Sequence, residues 1–214
     1  MVRVALTFDD GYMAQLRIAR ELKSMCIRAT FYVVTHKKEH MGHKLLSMKP
    51  ELISEIASMG HEIGSHTATH ADLTTLDKSG IEEELKMSLK TLEDVTGQEI
   101  LGLAYPWGRY NKVVKEVVGK YYLYARSTEI VGSGSELYNA PPRSIYELGA
   151  IPIFALKRFS LPKFIWDSHK FRNAKPIAYT HKPGTLKLKT AITILKTFGF
   201  EFVTVDELFE NSTQ

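Results

Sequence analysis

The chain has 214 residues, 44% hydrophobic and 24% charged, with a net charge of +4 and a pI near 9.0. That suffices for one domain with a substantial core, in a composition ordinary for a globular protein. The basic residues are scattered, not gathered into the patch or stripe of a nucleic-acid binder, and the single cysteine, Cys26, excludes an internal disulfide and a cysteine-rich zinc site.

Residues 2–8 read as a strand, and 14–25 as a helix with Leu16, Ile18, Leu22 and Met25 on its apolar positions. Cys26 follows, read as a small buried hydrophobe. Residues 29–34 are β-branched and aromatic, hence a strand, and 36–43 (HKKEHMGH) read as a solvated loop. A helix is predicted over 50–59, with Pro50 at its start and Gly60 as its stop. A short strand follows over 61–65, then a helix over 77–95 closed by Gly97. Strands over 100–105 and 121–126 flank a helix over 111–118. Residues 127–146 read mostly as loop, with a strand at 143–146, while 151–174 carry no clear period. A strand over 176–180, a helix over 186–198 and a strand over 200–205 complete the chain.

Such alternation means βαβ units and a mainly parallel sheet, closed or nearly closed. No linker, repeat or low-complexity segment divides it, so 1–214 is expected to be a single domain. A full eight-unit barrel takes about 250 residues, so fewer units or an irregular closure is expected. The N-terminus lacks the pattern of a secretory signal and no window has the apolar length of a membrane span, so a cytoplasmic location is the expectation.

In these folds reactive groups sit at the C-terminal ends of strands. The first strand ends in Asp9 and Asp10, the 61–65 strand runs into SHTATH with His66 and His70, the 100–105 strand ends in AYPWG, and the 176–180 strand ends in His181. If the chain turns helical after residue 65, His66 and His70 face one side and can grip one cation. Two imidazoles and a carboxylate make a facial triad with open positions. A cation beside Asp10 would absorb one of the two adjacent charges and leave the other aspartate free as a base.

In order, TFDDGY, SHTATH, AYPWG and the late strand ending in His181 resemble the polysaccharide deacetylases of carbohydrate esterase family 4, with the NodB-type homology domain. The resemblance implies an α/β fold, a distorted (β/α) barrel with about seven parallel strands. It implies Asp10, His66 and His70 as metal ligands, with zinc the usual ion and cobalt or manganese as substitutes. By the same match Asp9 would be the general base and His181 the general acid; a charged His181 needs an acidic partner, for which Asp72, Glu62 and Asp206 are the candidates. Tyr105, Pro106, Trp107 and Tyr179 would contact substrate, the Trp107 backbone N–H facing the oxyanion.

The chain departs from the family pattern at three places. Ala104 stands where many members have an arginine braced against the base, and Arg143 in PPRSIY is the expected substitute. The aspartate pair with tryptophan of the best-known members is not visible, and Trp166–Asp167 falls in the unassigned stretch. Tyr179 stands where a leucine usually lines the acetyl pocket. The expected activity is removal of an N-acetyl or O-acetyl group from a sugar or glycan. Two alternatives stand beside it: a deacylase or deformylase of an intracellular nucleotide- or lipid-linked amino sugar or another amide, and a non-catalytic carbohydrate-binding domain. No nucleic-acid partner is expected. In the 36–43 loop, His36, His40 and His43 offer a minor reading as an independent metal site or a substrate contact.

Overall fold

The computed structural model describes residues 1–128, 134–140, 142, 144–153, 161–182 and 184–209. In chain order its elements are β1 (Val2–Phe8), α1 (Gln15–Ser24), β2 (Thr30–Val33), β3 (Glu39–His40), β4 (His43–Lys44), α2 (Pro50–Ser58), β5 (Glu62–Ser65), α3 (Lys78–Thr96), β6 (Gly102–Ala104), α4 (Lys112–Val118), β7 (Tyr124–Arg126), β8 (Ile151–Pro152), α5 (Leu161–Lys170), β9 (Ile177–Thr180), α6 (Thr185–Thr197), β10 (Phe200–Val203) and α7 (Val205–Phe209). Local chemistry sets several boundaries. Asp77 caps α3 by accepting from the Gly80 N–H at 2.8 Å, and Gly97 ends it in the left-handed conformation. Asn111 caps α4 by accepting from Val114 N–H at 2.9 Å.

Four expectations are corrected. The 36–43 stretch is not a plain loop but the antiparallel hairpin β3–β4. The strand expected at 143–146 does not form over its described residues, 144–146; the chain instead makes an isolated parallel bridge between Leu148 and Arg126. The last strand stops at Val203, where the Thr204 N–H donates to the Glu207 carboxylate at 3.1 Å and α7 begins. Cys26 is exposed, in the turn that follows α1, with φ of 55°. The unassigned region contributes β8 and α5.

Seven strands run parallel in the order β7-β6-β5-β2-β1-β9-β8, and β10 adds to the first half of β1. This is a curled half-barrel, and the Leu148–Arg126 bridge brings the segment before β8 alongside β7. Both faces of the sheet are buried, as a parallel sheet requires. One core packs Phe8, Phe31, Val33, Ile63 and Leu103 against the helices through Ile18, Leu22, Ile53, Leu85 and Leu92. A second core fills the inside of the curl with Ala5, Tyr32, Ala104, Tyr124, Ile177 and Val203, together with Val205, Leu208 and Phe209 of α7. Glycine makes room for the inner tyrosines. A Cβ on Gly64 would stand 2.5 Å from the Tyr32 ring, and one on Gly102 would stand 2.0 Å from Tyr124. Among the described residues, no helix is long and apolar enough to cross a membrane.

The inner tyrosines lead to a partly buried acid. Tyr32 and Tyr124 hydroxyls lie 3.1 Å apart, Tyr124 donates to Glu62, and Glu62 also accepts from Thr30 Oγ1 at 2.6 Å and Val205 N–H at 2.9 Å. Burial, with Asp206 nearby, pushes the Glu62 carboxyl up to about 8. A folded-state pKa above the unfolded one gives stability that is full below about pH 4.5 and is lost as pH rises through about 8. Glu62→Gln removes that titration. One amide oxygen still serves Thr30 and Val205, and Nε2 can donate to Tyr124. Thermal melts should therefore show the variant gaining on wild type between pH 5 and 9, as a difference of roughly 1–3 kcal/mol. Parallel pH profiles for the two proteins would refute the assignment.

Candidate active site

β1 delivers Asp9 while still in the ladder, its N–H bonded to Thr180 O at 3.2 Å. The chain then turns sharply. Asp10 and Gly11 both have positive φ, 73° and 71°. A side chain on Gly11 would press on Val33, with its Cβ 3.0 Å from Cγ1 and 3.2 Å from Cα. The turn aims the two acids differently although they are neighbours in sequence.

The histidine pair does not arise as the helical spacing predicts. Residues 66–70 form no helix; Thr67 and His70 are left-handed instead, with φ of 65° and 60°. Side chains hold this turn: Ser65 Oγ accepts from Thr67 N–H at 3.1 Å, and Thr67 Oγ1 accepts from His70 N–H at 3.1 Å. Trp107 is left-handed too, at φ 60°. Non-glycine residues in this region cost about 1–3 kcal/mol each and persist where the surroundings hold them, often at functional sites.

Asp10 is the hub. Its Oδ1 lies 3.5 Å from His66 Nε2 and 3.4 Å from His70 Nε2, and its Oδ2 lies 3.9 Å from His181 Nε2. Burial works to raise the Asp10 pKa, but the hydrogen bond and charge of His66, the charge of His181 and a hydrogen bond from Tyr12 outweigh it and hold the carboxyl well below the usual range. Burial, aided by the charge of His66, pushes His70 down to about 3. That ring is neutral at neutral pH, with a lone pair to offer.

The donor set fits a divalent cation. His66 Nδ1 lies 2.8 Å from the Ala104 carbonyl and must donate to it, which leaves the Nε2 lone pair facing Asp10. A lone pair facing a carboxylate oxygen is repulsive unless a cation stands between them or the ring is protonated. His70 Nδ1 is buried with no hydrogen-bond partner among the described residues. Two donors about 2.1 Å from a tetrahedral ion lie about 3.4 Å apart, which matches the Asp10–histidine separations.

Asp9 is held separately. Arg126, at the end of β7 and fully buried, donates through Nη2 to Asp9 Oδ1 and through Nη1 to Ser127 O at 3.2 Å. Its guanidinium lies 4.8 Å from the Tyr32 ring and 5.5 Å from the Tyr179 ring. The expectation for Arg143 lies outside the described residues; among the described residues, the arginine on Asp9 is Arg126. The strand-end rule could have found it, because it closes a predicted strand. Nor do Asp72, Glu62 or Asp206 serve His181. Asp72 pairs with Arg109 at 2.7 Å, Glu62 and Asp206 lie together where Glu62 accepts from the Asp206 N–H, and the carboxylate beside His181 is Asp10.

Asp9, Asp10, His66 and His70 line one cleft of about 620 Å³, together with Tyr105, Trp107, Tyr179 and His181. Trp107 is half-exposed at the rim, its ring 4.8 Å from that of His70. Tyr179 lies 5.9 Å from His181, ring to ring. Tyr105 is almost wholly buried, its hydroxyl donating to Tyr146 O at 3.1 Å, and Pro106 is buried without lining the cleft. Gln15 went unread in the sequence. Its buried amide donates to the carbonyls of Asp9 at 2.5 Å and His181 at 3.0 Å, tying two strand ends together. His40, which the sequence offers as an independent metal site or a substrate contact, lines this same cleft, where it lies 4.4 Å from His70, ring to ring.

Residues 2–125 match the family model described as polysaccharide deacetylase. The peptidoglycan-N-acetylglucosamine deacetylase PgdA of Listeria monocytogenes is 27% identical over 230 residues, spanning 99% of this chain and 40% of the relative. The peptidoglycan-N-acetylmuramic acid deacetylase PdaA of Bacillus subtilis is 26% identical over 213 residues, spanning 96% of this chain and 70% of the relative. Among solved structures, a family-4 carbohydrate esterase pseudoenzyme from Bacillus anthracis superposes with a TM-score of 0.69 at 20% identity, over 96% of this chain and 64% of that one. With its motifs in order on this half-barrel, the chain belongs to the polysaccharide deacetylase family. It spans about two fifths of the length of the Listeria relative. Because a pseudoenzyme shares the fold, activity has to be argued from the side chains.

Proposed function

We propose that the chain is a metal-dependent hydrolase that removes an acetyl group, N-linked or O-linked, from a sugar or polysaccharide. The observation that carries this reading is the pairing at the end of β1: Asp9 locked to a buried arginine, and Asp10 ringed by histidines, both opening into one cleft. The names of the relatives support an amide on an amino sugar.

Asp10, His66 and His70 would hold the ion, with zinc the first choice and cobalt or manganese able to replace it. Once bound, the ion supplies Lewis acidity to the acyl carbonyl and lowers the pKa of water. Asp9 takes the proton as water attacks, and Arg126 holds that carboxylate in place. The Trp107 N–H donates to the developing oxyanion, and its ring walls the sugar. His181, about half exposed and beside Asp10, hands a proton to the leaving amine. Tyr179 bounds the acyl end and keeps that group small. The non-catalytic alternative drew its support from Ala104 in place of an arginine, and Arg126 supplies that charge from another strand.

The test is hydrolysis itself. Zinc-loaded protein should release acetate and free amine in equal amounts from N-acetylglucosamine oligomers or peptidoglycan fragments. No release from these or from O-acetylated oligosaccharides, by folded protein with metal bound, would end the reading.

A further inference from the structure

We propose that His40 is a further protein donor to the ion that Asp10, His66 and His70 hold, an inference that rests on the metal reading above. Asp10, His40 and His70 each place a donor atom within 4.8 Å of the other two. His40 is nearly buried, although its neighbours Glu39 and Met41 on the hairpin are exposed. It is thus the residue of β3 that turns inward, and it turns onto the cleft. Its ring stands 4.4 Å from that of His70 and 6.0 Å from that of Trp107.

The hairpin is fastened to both loops that carry the other ligands. At its entry, Thr35 N–H bonds to Thr67 O at 3.4 Å and His36 N–H to Ala68 O at 2.7 Å, inside the SHTATH turn. At its exit, Leu45 bridges Tyr12, Met13 N–H bonds to Lys44 O at 3.0 Å, and Leu46 N–H bonds to Gly11 O at 2.7 Å. Leu45 and Leu46 are fully buried and anchor that end. The segment carrying His40 is therefore indexed on the turn of Asp10 and on the turn of His70, which is what a donor needs in order to be held in place. Three imidazoles and one carboxylate leave room for water and substrate only in an expanded shell of five or more ligands, which zinc can adopt.

The experiment measures metal, not turnover. Zinc affinity is read by competition with a chromophoric chelator, and the cobalt form by its visible absorption, for wild type, His40→Ala, His40→Asn and His43→Ala, with circular dichroism of each apo-protein. Wild type should bind one zinc, both His40 variants should bind at least about 10-fold more weakly with an altered cobalt spectrum, and His43→Ala should match wild type. A folded His40 variant with wild-type affinity and spectrum would overturn the proposal, as would an equal loss in His43→Ala, since the effect would then belong to hairpin packing. The two readings fail separately. Wild type binding no zinc sinks the metal site itself; zinc lost in His66→Ala but kept in His40→Ala sinks only the further donor.

Discussion

Asp9→Asn should lower kcat/KM for deacetylation by about 10²–10⁴-fold, the range for loss of a positioned general base, while zinc content stays at the wild-type level. The amide keeps the shape and cannot take a proton. The ligands are on Asp10 and the histidines, so the metal should remain. The variant should also be less stable, because Arg126 is fully buried and would lose the charge it faces. Assays therefore belong at low temperature, with the folded fraction checked. If the folded variant kept wild-type turnover, Asp9 would not be the base.

The second large effect comes from the other side of the same pair. Arg126→Met should cost about 3–5 kcal/mol of stability, the range for breaking a buried ion pair from one side. The methionine can fill the space between Tyr32 and Tyr179, but Asp9 is left in the interior without its cation. A double variant, Asp9→Asn with Arg126→Met, should recover much of the loss, since an apolar replacement of a whole buried pair is often near neutral. Activity should not return. Denaturant unfolding of the four proteins measures this directly. Simple additivity of the two single losses would show that the pair is not coupled.

The sequence was informative where one period or one strand end decides the structure. The buried run 2–8 makes Asp9 and Asp10 a strand end, and the apolar spacing in 77–95 makes a capped helix. It was silent where tertiary contact decides. Arg126 looks like a surface cation by type, and only the curl of the sheet brings β7 opposite β1. His40 sits in a two-residue strand, too short for any periodicity to register. The His66–His70 spacing suggests a helical turn, but Ser65 and Thr67 hydroxyls offer the backbone a left-handed alternative. Glu62 opens a strand, where an acid normally faces water, and the start of α7 partly covers it and donates to it.

The account stands on one centre acting through metal and side chains together. It is tested most directly by stripping the protein with a chelator and measuring acetate release from N-acetylglucosamine oligomers as zinc is added back. The account predicts no release without metal, a rise in proportion to zinc, and a plateau at one ion per chain. Undiminished release from the stripped protein, or no release at full occupancy, would contradict it.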